Sequence, residues 1–180
     1  AQVATALVLL CGALLFAQTL RNLLTTESGM VSEDVLVASV DARLPAMPPE
    51  QRLLMFDQIE ARIAAQPGVI ALAQVSLSPF GGSSWNGDVR AKGAADGEKK
   101  ESWFTLVGPG YFGALKTPLL AGREFTPQDT ASSPRVAIVN EQFAKSVFGD
   151  DNPIGRTFAH AQVAGKPDLE YEVVGLVRNT

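Results

Sequence analysis

No charged side chain occurs before Arg21, and from Val3 to Ala17 every residue except Thr5 is apolar. A helix that meets water on one side carries a polar stripe, and this run has none. About 20 apolar residues cross a bilayer as a helix. Thr5 fits such a helix because its hydroxyl can bond back to the helix itself. Leu20, Leu23 and Leu24 continue the apolar pattern past Arg21, which predicts a helix that leaves the bilayer and runs on. A secretory signal would need a shorter apolar region and a small-residue cleavage site. Ala17-Gln18-Thr19 is a poor site of that kind, and Leu9-Leu10 before Cys11 do not suit a lipoprotein signal. A buried helix of a soluble protein is a third reading. The chain starts at Ala1 rather than Met, so its upstream flank is not visible and the positive-inside rule cannot orient the helix. The favoured division is a transmembrane helix over residues 1–24, truncated at its start, and a folded domain over 25–180.

The remaining composition is that of a folded domain. In all, 46% of the 180 residues are hydrophobic and 19% charged, which excludes a disordered chain. The formal net charge is −4, and the one local basic feature, Lys99-Lys100, lies between Glu98 and Glu101. A nucleic-acid surface needs a basic stripe, so no nucleic-acid partner is expected. Cys11 is the only cysteine, so no internal disulfide forms. Its place in the apolar run points to packing or lipid contact.

Residues 25–33 are polar and contain Gly29, a helix exit. Asp34–Asp41 reads as a strand, Leu44–Pro49 as a turn-rich connector and Glu50–Gln66 as a helix. Leu53, Phe56, Ile59 and Ile63 fall on one side of that helix, and Pro67-Gly68 stops it. Val69–Leu77 alternates like a strand. Together these segments predict a βαβ unit with a right-handed crossover, the Leu53/Phe56/Ile59/Ile63 stripe being buried against the sheet. Ser78–Gly87 is expected to be a surface loop. Asp88–Lys92 and Ser102–Val107 form a hairpin around the polar tip 93–100. Pro109 opens a short helix, 119–125 is extended, and 126–134 is a polar loop. Arg135–Val139 is a strand. Asn140 caps a helix whose Phe143 and Val147 share a face, and Gly149 ends it. Asp150–Pro153 forms a turn. Thr157–Val163 and Tyr171–Val177 are the last strands, joined by a loop around 165–168. The class is α+β with a half-parallel sheet.

Catalytic chemistry finds little to stand on. His160 is the only histidine, and no cysteine lies beyond Cys11. Zinc needs three or four Cys, His or carboxylate ligands, and the spacing is absent. No Gly-x-Ser-x-Gly elbow surrounds Ser83 or Ser84. The glycines at 81, 82 and 87 are not part of a Gly-x-x-x-x-Gly-Lys-Ser/Thr phosphate loop. His160 alternates with Phe158 and reads as a surface or edge histidine rather than a general base. Asp150-Asp151 before Asn-Pro reads as a turn pair. Asp129, alone among acids in its loop, does not make a calcium site. No catalytic, cofactor-binding or metal residue is assigned, and no cofactor is expected.

An ordered series of blocks spans the whole chain: "LRNLLTTESGM", "QPGVIALAQVSLSPFGG", "VGPGYFGALKTPLLAGREFT", "RVAIVNEQFAKSVFGDDNPIGRTF" and "YEVVGLVRN". Pro109–Thr126 and Val139–Gly155 carry most of the likeness. The chain resembles the MacB-type periplasmic core domain of FtsX-like ABC-transporter permeases, most of all the duplicated permease subgroup abundant in acidobacteria. The resemblance implies a transmembrane helix feeding a domain of two lobes, a porter-like βαβ lobe and a smaller, mostly-β lobe. It implies a bacterial cytoplasmic (inner) membrane location with the domain in the periplasm. It also implies no chemistry in the domain itself. A cytoplasmic ABC ATPase would drive its motion, and that motion would be passed to periplasmic substrates or partners. The other partners implied are the lipid bilayer, the remainder of the permease and a second permease half or copy. Family members continue after the "VVGLVRN" strand, so the domain is expected to be incomplete at its C-terminus. The rival reading is an exported or lipid-anchored periplasmic binding domain. The two are told apart by whether the N-terminal helix survives in the mature protein. An envelope enzyme is a weaker third class, since it needs a polar cluster that the sequence does not offer.

The apolar run predicts that the expressed chain sediments with membranes, resists extraction by alkaline carbonate and is released by detergent. Recovery in the soluble fraction, or a mature chain cleaved near Ala17, would remove the membrane anchor.

Overall fold

The computed structural model describes residues 2–25, 34–40, 48–78, 81, 85–94, 98–162 and 166–179. Helix α1 (Gln2–Thr25) is one continuous helix. At 1.5 Å per residue it is roughly 36 Å long, more than the ~30 Å hydrocarbon core. Its stretch Gln2–Asn22 has a mean hydropathy of 2.1, and none of the apolar window is buried against the rest of the chain. Thr19 Oγ1 donates to the Leu15 carbonyl at 2.9 Å, so this hydroxyl is satisfied within the helix. The expected helix exit over 26–33 and most of the connector, 41–47, lie outside the described residues.

Helix α2 (Pro49–Ala64) opens on a proline, where the missing N–H costs nothing, and Gly68 at φ 90° turns the chain beyond its end. The predicted βαβ unit is not assembled around it among the described residues. Residues 35–40 and 69–74 are extended but join no ladder, and only Val75 bridges Val107. The stripe is not buried either: Leu53 is 66% exposed, Ile63 is exposed, and Phe56 and Ile59 are half-buried. A helical period records that a face is apolar, but burial requires a partner surface, and the sheet that forms lies elsewhere.

That sheet has six strands: β1 (Trp85–Ala91), β2 (Lys100–Phe104), β3 (Leu119–Gly122), β4 (Val136–Asn140), β5 (Thr157–His160) and β6 (Leu169–Val177). The order is β2-β1-β5-β6-β3, with β4 also paired to β6. The expected hairpin forms, with Trp85 opposite Phe104 and Val89 opposite Lys100. It starts earlier than predicted, because Trp85, Asn86 and Gly87 belong to β1 and not to a loop. Strand β5 pairs antiparallel with both β1 and β6. The half-parallel character is real, but its place is β4 beside β6. With β3 antiparallel on the same stretch of β6, residues 175–177 are flanked on both edges.

Two glycines let β3 meet β6. Gly122 has φ 76°, and a Cβ there would collide with the Val174 carbonyl. A Cβ on Gly175 would stand 2.5 Å from the Arg123 carbonyl oxygen. The close approach is closed by Arg123 N–H donating to Val174 O at 2.8 Å.

Helix α4 (Glu141–Phe148) covers one face of the sheet, and the short α3 (Tyr111–Ala114) precedes β3. Asn140 Oδ1 accepts from Phe143 N–H at 2.9 Å, the predicted cap. Asn179 adds a second tie, accepting from Gln142 N–H at 2.8 Å while its own N–H donates to Glu141 Oε2. Gly149 at φ 71° ends the helix. The core lies beneath α4: Val89, Val139, Ala144, Phe148, Phe158 and Val173. Phe158 meets Phe143 edge-on at 4.9 Å and stacks on Tyr171 at 5.5 Å.

Phe158 is 2% exposed, so Phe158→Ala should lower unfolding stability by about 3–5 kcal/mol. Leu53→Ala, at an exposed position, should change it by less than about 0.5 kcal/mol. Denaturant titration of both variants would test this, and the opposite ranking would move the core to α2.

Candidate functional site

His160, the only imidazole available for chemistry, is not at a surface or an edge. It is 9% exposed, on a strand with neighbours on both sides. Its ring centroid is 4.7 Å from that of Phe104 and 5.7 Å from that of Trp85, which stack on each other at 4.7 Å. Nδ1 meets Gln162 Nε2 at 3.3 Å. On β1, a Cβ at Gly87 would lie 2.5 Å from His160 Nε2, so glycine is what makes room for the ring. The sequence missed this because the β1 residues Trp85 and Gly87 read as loop. A general base must reach a substrate proton. A buried ring packed beside the Trp85–Phe104 stack and over the Gly87 backbone fills the sheet.

The other candidates do not converge on His160. Ser83 and Ser84 lie outside the described residues. Asp151 binds Arg156 at 2.8 Å within the predicted turn. Among the described residues no group of three or more His, Cys, Asp or Glu is placed to hold a metal.

Two polar arrangements were not foreseen. On the face away from Val89, Arg90 of β1 and Lys92 just beyond it reach Asp168 and Glu170, each at 2.8 Å. The register explains the reach: Ala159 of β5 lies opposite both Arg90 and Glu170, so long side chains span a small one. These pairs are solvent-accessible and add little stability each. The second arrangement closes the loop after β3. Arg123 forks onto Asp129 at 2.7 and 2.9 Å, while Thr126 donates to Asp129 Oδ2 from its N–H at 2.8 Å and its hydroxyl at 3.1 Å. The Arg123 guanidinium, then the Thr126 N–H, hold the Asp129 carboxyl well below the usual carboxylate range, against a smaller opposing effect of burial. The six-residue spacing of Arg123 and Asp129 around Thr126 was the available signal.

Outside α1, exposed apolar side chains occur along 36–70 and again at Trp103, Leu106, Leu119 and Leu120. Leu36 and Ile70 are almost wholly exposed, and Leu53, Leu54 and Ile63 are exposed on α2.

These features define an α+β domain behind an apolar N-terminal helix, whose described polar groups close loops and tie strands. Residues 3–180 match the family model of the MacB-like periplasmic core domain. The chain belongs to that family, a periplasmic domain of ABC-transporter permeases. It is similar to the periplasmic region of MacB from Actinobacillus actinomycetemcomitans, at 20% identity over 66% of this chain and 48% of that one, with a TM-score of 0.48. It is also similar to the extracellular domain of the noncanonic ABC-type transporter YknZ from Gram-positive bacteria, at 20% identity over 67% of this chain and 56% of that one, with a TM-score of 0.47. The chain thus spans about half the length of these solved structures. No curated protein matches it.

Because the folded state lowers the Asp129 pKa, the clip stabilises the fold fully above the ordinary carboxylate value of about 4 and loses its effect as pH falls below it. Asp129→Asn should therefore unfold at lower denaturant than the parent at pH 7, with the gap narrowing at pH 3. A gap that stays constant or widens on acidification would show that the carboxylate charge is not what holds the loop.

Proposed function

We propose that this chain is a non-catalytic extracytoplasmic segment of an ABC-transporter permease, coupling ATPase-driven motion to the handling of a periplasmic substrate or partner. The observation that carries the proposal is the family match from residue 3 to residue 180, which takes in the apolar helix and the domain together. In this reading residues 1–24 pass through the bacterial inner membrane and residues 25–180 stand in the periplasm. The cytoplasmic ABC ATPase, the remainder of the permease and a second permease half or copy are the partners. The sequence has no phosphate loop with which to hold nucleotide itself, so ATP is handled by the partner.

The physical logic is a lever. A ligand shifts a two-state equilibrium only by its differential affinity for the two states, and a packed domain transmits the shift because its core is not continuously deformable. The Phe143–Phe158–Tyr171 stack supplies such a body, joining α4 to β5 and β6. The apolar face of α2, with Leu36 and Ile70, serves in this reading as the seat for the remainder of the periplasmic domain. Residues 35–40, which join no ladder among the described residues and leave Leu36, Val37 and Val40 exposed, support that assignment.

The test uses the full permease with its ATPase in proteoliposomes. Phe143→Ala should lower transport on the order of tenfold, the scale of a coupling energy of ~1–3 kcal/mol, while ATP hydrolysis persists. Equal loss of both activities in a folded variant would overturn the coupling role. ATP hydrolysis by this chain alone would overturn the non-catalytic reading.

A further inference from the structure

We draw no further inference here: the strongest candidate, the exposed Trp103 beside the cross-strand Asp88–Glu101 pair on the outer face of the β1–β2 hairpin, is one ring next to two solvated carboxylates, and nothing in the structure shows what covers it.

Discussion

Strand β6 is the member on which the rest of the sheet depends. Its first half carries β5, and its second half carries β4 on one edge and β3 on the other. Val173, near the middle, is completely buried. Three partners on nine residues demand unusually close backbone approach, and Gly122 and Gly175 provide it. A side chain at either glycine would enter a carbonyl of the facing segment. Helix α4 is tied to the same strand end through Asn179, so the one helix that covers the core is placed by β6 as well.

The chain answers to two solvents. Helix α1 has no apolar side buried in protein and is long enough to place its apolar surface in lipid. The sheet domain obeys the aqueous rule, with an aromatic and aliphatic core beneath α4 and ion pairs on its outer face. Helix α2 follows neither rule fully, because Leu53, Leu54 and Ile63 are exposed while Phe56 and Ile59 are only half-buried. An amphipathic face left in water is a cost that a soluble fold removes by covering it.

The polar chemistry of the domain is turned inward, to its own architecture. His160 fills the space that Gly87 leaves beside the Trp85–Phe104 stack. Asp129 spends its oxygens on Arg123 and Thr126. Fold alone does not name an activity. The family membership assigns the domain to permeases.

Local features were legible wherever the physics is local. A charge-free run needs no tertiary partner to be recognised as a membrane helix. The Asn140 cap and the Gly149 stop depend on contacts within a few residues and stand where the sequence placed them, while the hairpin forms with its strands shifted toward Trp85 and Lys100. The α+β class and the family likeness followed from the same order of elements. What tertiary structure alone decided was pairing and burial. The parallel pair is β4 with β6 and not the strands flanking α2, because a strand becomes a strand only against a partner that may be distant in sequence. Likewise the fates of Phe56 and His160 were set by what came to lie beside them, an open face for one and two aromatic rings for the other. Periodicity shows which side of an element is apolar, but only the assembled chain determines what covers it.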